Sequence, residues 1–291
     1  MTSTIHTKTR LSDRFYEGER PLYALGETEL DNVRFYPGES PLKHSHDVVI
    51  RNCEFMGKYP VWHSDRVLIE DSLFTVYARA AIWYSRDLTM RNCTVEAPKM
   101  FRRVSNLTIE NCRFPNAGET LWTCDHLTLR DVDLKGADYV FMNCSDIEID
   151  GMTLEGNYSF QDAKNVTIRN AHLASKDAFW GTENVTVYDS VIEGEYLGWH
   201  SKNLRLVNCT IRGEQPLCYA TDLVMENCRM EDTDLCFEYA TLEADIISDI
   251  ISIKNPTSGH IRARSIGEII IDEHCITPGA CVIETGLQDV A

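Results

Sequence analysis

VVIRNCEF (48–55), VLIEDSLF (67–74), LTMRNCTV (88–95) and LTIENCRF (107–114) are four copies of one eight-residue pattern. The pattern reads apolar, variable, apolar, charged, Asn or Asp, small, variable, apolar. It continues through LTLRDVDL (127–134), IEIDGMTL (147–154), VTIRNAHL (166–173), VTVYDSVI (185–192), LRLVNCTI (204–211) and LVMENCRM (223–230), and TELDNVRF (28–35) is a fainter first copy. Successive copies start 19 to 21 residues apart, which makes eleven units. Such a fixed period is the mark of a repeat architecture. Each unit is two short alternating strands broken at the Asn/Asp position. A further apolar segment precedes the units, as in YPVWHS (59–64), AAIWYS (80–85), TLWTC (120–124) and YLGWHS (196–201). Three strands in about 19 residues leave no room for a strand–helix–strand crossover. The spacing predicts an all-β parallel β-helix of three strands per coil, each strand pairing with its counterpart about 4.8 Å along the axis.

The columns of this stack follow. The fifth residue is Asn32, Asn52, Asp71, Asn92, Asn111, Asp131, Gly151, Asn170, Asp189, Asn208 and Asn227. Asn and Asp tolerate turn geometry, and stacked amides predict a ladder inside the turn. The sixth residue is small, and five of the eleven cysteines fall there: Cys53, Cys93, Cys112, Cys209 and Cys228. They read as free core thiols, with Cys124 and Cys144 in another inward column. The fourth residue points out and alternates sign through Arg51, Glu70, Arg91, Glu110, Arg130, Asp150 and Arg169, an ion-pair ladder worth roughly 0.2–1 kcal/mol per pair.

The Asn column, short strands and coil length resemble the right-handed parallel β-helix superfamily of pectate lyases and polygalacturonases. Within it, GESPLK (38–43), EAPKMFRR (96–103), NAGETLWTCD (116–125) and SKDAFWGTENVTVYDS (175–190) resemble a bacterial family known only as a domain of unknown function. The resemblance implies a right-handed β-helix and no particular reaction. We expect one domain, with residues 1–27 as an irregular N-terminal cap, 28–240 as about eleven regular coils, and 241–291 as degenerate coils and a C-terminal cap.

Composition narrows the function. The chain of 291 residues carries 45 Asp+Glu against 28 Lys+Arg, a net charge of −17. That disfavours nucleic acid and anionic membranes as partners. No apolar run reaches the roughly 20 residues needed to span a bilayer. The start shows no apolar signal segment, and the eleven cysteines form no CxxC pair, so a cytoplasmic location with free thiols is expected.

All five tryptophans, Trp62, Trp83, Trp122, Trp180 and Trp199, lie five residues before the next unit. The preceding column is apolar and faces in, so strand alternation turns this one out. Its other members include Lys43, Arg102, Met142 and Gln161; the next column holds His44, His63, Tyr84, Arg103, Thr123, Asn143, Asp162, His200 and Tyr219. Flat indole faces beside hydrogen-bonding groups suit sugar rings. We therefore expect a carbohydrate-like ligand on Trp62, His63, Trp83, Tyr84, Arg102, Arg103, Trp122, Asn143, Gln161, Asp162, Trp180, Trp199 and His200. The alternatives are a non-enzymatic scaffold or homo-oligomer using the strip as its interface, and a polysaccharide lyase or hydrolase centred on Lys99, Arg102, Glu119 and Asp162. No carboxylate pair of the kind a glycosidase needs stands out. His44 and His63 lack a third ligand, so no metal site is expected, and no cofactor fingerprint is present.

Overall fold

A computed structural model describes residues 5–286 of the chain, and every regular element in them is a β-strand. The outermost parts of the expected caps, residues 1–4 and 287–291, lie outside the described residues. The protein is a parallel β-solenoid of about 15 turns, divided into two compact units, residues 1–152 and 153–291.

In the first unit the repeats stack in register. Val48 pairs with Val67, Val67 with Leu88, Leu88 with Leu107 and Leu107 with Leu127, all in parallel. The turn that opens with Asp65–Glu70 continues into Leu73–Phe74 after a corner at Asp71. The third side pairs as strand at Ile82–Trp83 with Phe101–Arg102. Elsewhere that side is bent by left-handed residues, yet its backbone still climbs the stack: the Val61 amide donates to Ala81 and the His63 amide to Trp83. Alternate side chains fill the interior. Phe35, Phe55 and Phe74 form a stack with ring centroids 4.9 and 4.6 Å apart, all fully buried or nearly so.

The corners explain the Asn/Asp column. Asn52, Asp71, Asn92 and Asn111 all have φ near +50°, a conformation whose cost is lowest for Asn, Asp and Gly. The amide ladder exists, with Asn92 donating to Asp71 at 3.1 Å and Asn111 to Asn92 at 2.8 Å, but it is exposed rather than inside the turn. The left-handed residue sends its side chain outward and hands the next position to the interior. There Cys53, Cys93 and Cys112 are buried, and each thiol donates to the carbonyl two residues back at 3.1–3.3 Å. Ser72 does the same at 2.7 Å and accepts from the Cys53 amide at 3.0 Å. A small hydroxyl or thiol thus satisfies a corner that the strand ladder leaves open. A second exposed ladder, not foreseen, runs one corner earlier, where Asn106 donates to Asp87 at 2.8 Å. The ion-pair ladder is continuous from Glu29 through Arg51, Glu70, Arg91 and Glu110 to Arg130, with links of 2.7–3.5 Å.

Residues 1–27 are not simply irregular. Thr9–Glu19 forms a parallel strand against Gly26–Glu39, pairing Thr9 with Thr28 and Tyr16 with Phe35. Arg14 stands where Val33 is buried in the next turn, and Phe15 is 68% exposed. Among the described residues this turn pairs on one side only, with Gly26–Glu39, so its inward column is not packed from both sides.

In the second unit, Val166, Val185 and Leu204 continue one register, and Val224 pairs with Arg205. Thr241–Lys254, Ser258–Ile270 and Cys281–Thr285 add three further parallel strands. Thr241 pairs with Ser258, so the turn there shortens to 17 residues and the repeat pattern is lost. All eleven cysteines are unpaired thiols. No helix among the described residues is long and apolar enough to cross a membrane.

Candidate functional site

The third side of the first unit carries two parallel columns of stacked side chains. The inner one runs Lys43, Trp62, Trp83, Arg102, Trp122. The Trp62 and Trp83 rings stack 5.3 Å apart at 12°. The Lys43 ammonium lies 5.8 Å from the Trp62 ring. Arg102 is clamped between Trp83 and Trp122, its guanidinium 4.5 and 4.4 Å from the two ring centroids. The outer column runs His44, His63, Tyr84, Arg103. His44 and His63 stack at 5.0 Å, His63 and Tyr84 at 5.0 Å, and Arg103 lies 5.9 Å from Tyr84.

This geometry follows from the corners. Tyr59, Ala80, Lys99, Glu119 and Tyr139 are left-handed at the start of the third side, as are His44, His63, Tyr84, Arg103, Thr123 and Asn143 at its end. The starting corners present their carbonyls to the strip. Trp62 donates its indole N–H to Ala80, Trp83 to Lys99 at 2.9 Å, and Trp122 to Tyr139. Each indole therefore lies half-buried with its nitrogen satisfied and its faces turned along the solenoid axis. The broad faces expected to meet a sugar are covered by the neighbouring turn. What reaches solvent is a comb of ring edges and cation tips about 5 Å apart, the strand spacing.

The outer column is the polar edge of this comb: His63 and Arg103 are exposed and Tyr84 is 41% exposed. Desolvation holds the His63 imidazole below its ordinary value, and the charges of His44 and Lys43 push in the same direction. The stacked imidazoles are held face to face and do not converge on a point, and no group of three metal-ligating side chains exists among the described residues. Lys99 and Arg102 meet one carboxylate, while Arg103 lies over the Tyr84 ring. Lys99 pairs with Glu119 at 2.9 Å, and Arg102 reaches it only at 3.7 Å. The Arg102 Nε is buried without a hydrogen-bond partner. Glu119 is therefore an ion-pair partner of lysine rather than a free acid, and the proposed catalytic cluster gathers Lys99, Arg102 and Glu119 without a second carboxylate. Asn143 is exposed in this unit; Asp162 belongs to the other.

The second unit repeats the motif with other chemistry. Trp180 and Trp199 lie 5.6 Å apart, and His200 stacks on Tyr219 at 4.8 Å. Tyr219 continues to Tyr239 at 5.4 Å, and Trp199 donates to Gln215 at 2.7 Å. Its other column members are half-buried Gln161 and fully buried Cys218. Asp162 packs over Gly181, where a Cβ would meet its carboxylate oxygen at 2.6 Å. Burial pushes the carboxyl of Asp177 above its usual range, and Lys176 is held by Glu195 at 2.9 Å. The site residues missing from the expected set are Lys43, His44 and Tyr59, the last with its ring 4.5 Å from Trp62. Their column positions were the available signal.

Over residues 9–284 the chain matches the family described as "Protein of unknown function (DUF3737)". The protein belongs to this family. No curated protein matches it. Among solved structures it is similar to the periplasmic alginate epimerase AlgG, at 12% identity and TM-score 0.32, covering 97% of this chain and 73% of that one. It is also similar to PfbA, a surface adhesin of Streptococcus pneumoniae, at 12% identity and TM-score 0.34, covering 81% and 72%. The tailspike of E. coli bacteriophage HK620 matches at 7% identity and TM-score 0.38, covering 96% and 71%. These are β-helix likenesses of fold alone.

Proposed function

We propose that the first unit binds an elongated, carbohydrate-like ligand bearing acidic groups along its comb of ring edges. The observation that carries this reading is the exposed row His44, His63, Tyr84, Arg103 at steps of 5.0, 5.0 and 5.9 Å, backed by Arg102 clamped between two indoles. A linear saccharide advances by a similar length per residue, so successive hydroxyls would meet successive imidazole, phenol and guanidinium edges. An acidic group would offer a charge-assisted hydrogen bond to the exposed Arg103 and to Arg102, whose own carboxylate contact is 3.7 Å. The chain's acidic balance does not oppose this, because Lys43, Lys99, Arg102 and Arg103 outnumber Glu119 here. The reading is of binding, and no reaction is assigned. A cytoplasmic location remains part of it, since buried thiols serve this core without an oxidising compartment.

A panel of neutral and acidic oligosaccharides, read by indole fluorescence and calorimetry, tests the proposal. Saturable binding of an acidic member is the expected result; no binding by any member refutes it. A second reading, a scaffold or oligomer, is favoured by one observation in the second unit: Ile251, Ile269, Ile271, Ile276 and Val282 are 46–65% exposed. A monomer by light scattering across the accessible concentration range would sink that reading.

A further inference from the structure

The first turn of the first unit leaves one edge of its strand open. Thr9–Glu19 pairs with Gly26–Glu39, and among the described residues no other strand meets it. Thr28, Leu30, Val33 and Phe35 are at most 2% exposed, whereas their counterparts Thr9 and Arg14 are exposed and Leu11 and Tyr16 only half-buried. The backbone turns a corner at Asp13, where φ is +53°. The open edge is therefore two arms meeting at a bend, residues 9–12 on one side of the solenoid and 14–19 on the next. An unpaired edge of this length invites another strand unless its side chains repel one.

These side chains do not repel a copy of themselves. Residues 8–19 hold three cations, Lys8, Arg10 and Arg14, and three anions, Asp13, Glu17 and Glu19, in a chain whose net charge is −17. Arg14 and Glu17 make no ion pair among the described residues. Two copies of the edge can be laid antiparallel about a twofold axis through the bend, between Asp13 and Arg14. Lys8 then faces Glu19, Arg10 faces Glu17 and Asp13 faces Arg14, each pair occurring twice and no like charges meeting. Leu11 faces Tyr16 and Ser12 faces Phe15, so inward residues meet inward ones and outward meet outward. Moving the axis onto Asp13 sets inward Leu11 against outward Phe15. Moving it one residue either way keeps only one of the three opposite-charge pairings. The bend and the charges thus select the same axis independently.

We propose that the first turn is a docking edge for a second copy of this chain, forming a twofold dimer by antiparallel pairing of Thr9–Glu19 across the end of the solenoid. Such an interface is isologous and closes on itself, so it yields a dimer and not a fibre. Opposite charges facing each other across antiparallel strands favour this register, and like charges would oppose it. Arg14, the charge in this turn's inward column, acquires a carboxylate across the axis. The ion-pair ladder also lengthens, because Arg10 already lies 2.6 Å from Asp31 and 3.9 Å from Glu29 and gains Glu17 on its open side. Twofold symmetry about this bend carries the third side of one copy onto the third side of the other, so the two combs share a face of the pair. The inference goes beyond the saccharide reading and does not depend on it.

The test measures self-association of the full chain by sedimentation equilibrium between about 1 and 100 µM. The unsubstituted protein is expected to dimerise, and less tightly in high salt. E17R and R10E each set like charges face to face twice in their own homodimer, and each is expected to raise the dimer dissociation constant by at least about tenfold. An equimolar mixture of the two variants again places every cation opposite an anion, and is expected to restore association to within about threefold of the unsubstituted protein. A misfolded variant could not be rescued in this way. A monomer throughout the range, or single variants that weaken the dimer without rescue in the mixture, overturns the inference. A dimer unmoved by both substitutions also overturns it, and places the contact elsewhere, as on the exposed isoleucines of the second unit.

Discussion

The two units build the same aromatic column with the same backbone device and give it different charge. In the first, Lys43 and Arg102 alternate with Trp62, Trp83 and Trp122, so cations and indoles share one stack. In the second, Trp180 and Trp199 stand beside Gln161 and the buried Cys218, with Asp162 and Asp177 nearby in sequence and no arginine in the column. The stacked rings are thus a habit of the solenoid, set by left-handed corners that offer a carbonyl to the indoles of Trp62, Trp83, Trp122 and Trp199. The cations are a local addition. Stacking alone would have justified a site in both units, and charge singles out the first.

The largest expected effect asks whether the units share a core. Phe55 and Phe179 are both fully buried in phenylalanine stacks, at 4.6 and 5.1 Å from a neighbour. Phe55→Ala and Phe179→Ala should each destabilise by about 3–5 kcal/mol, read by urea unfolding. A large cost at one position and a negligible one at the other would show that the interiors differ as well as the surfaces.

Next comes the charge itself. Arg102→Gln should weaken an acidic oligosaccharide by about tenfold or more, the scale of a lost charge-assisted hydrogen bond. Trp199→Ala, in the second unit, should leave affinity within about twofold. Equal losses from the two variants would remove the distinction drawn between the strips.

Acidity should act on the first strip in a defined direction. His63 is held below its ordinary value chiefly by desolvation, then by His44 and Lys43. Its neutral form is therefore the one the fold favours. That contribution to stability is present above the ordinary histidine value of about 6.5 and is lost as pH falls through the lowered one. A bound anion reverses the preference, so affinity for an acidic ligand should rise a few-fold between pH 8 and 5.5 in calorimetric titrations. In a His44→Ala/His63→Ala variant that rise should vanish; a pH dependence that survives both substitutions belongs to other groups.

The smallest effect concerns the ion-pair ladder. Arg91 bridges Glu70 and Glu110 in the first unit, while Arg169 in the second lies 4.0 Å over the Tyr188 ring. Arg91→Gln should cost no more than about 1 kcal/mol and lose that cost in molar salt. Arg169→Gln should respond less to salt, because its partner is a ring and not a carboxylate.

Much of this was legible in the residues. The 19-residue period, the corner column, the inward thiols and the alternating charges each follow from local chemistry, and each is present. The first turn escaped because Arg14 breaks the inward column, although FYEGERPL (15–22) and FYPGESPL (35–42) are a visible repeat. The last turns escaped because 17-residue spacing no longer matches the pattern. Within the strip, strand alternation placed the indoles outside, but could not say which way their faces point. That depends on a carbonyl 16 to 18 residues further on, at a corner in the next turn.

Sequence alone determined the solenoid, because its period, its corner residues and its inward apolar column are properties of each turn and repeat with it. It also determined which side chains share a column. Only the tertiary structure decided what those columns offer to a ligand. A ring on a strand can turn its face to solvent or to its neighbour about 4.8 Å away, and here the indole hydrogen bond and the adjacent ring or guanidinium select the second. The strip meets the solvent as edges and charges.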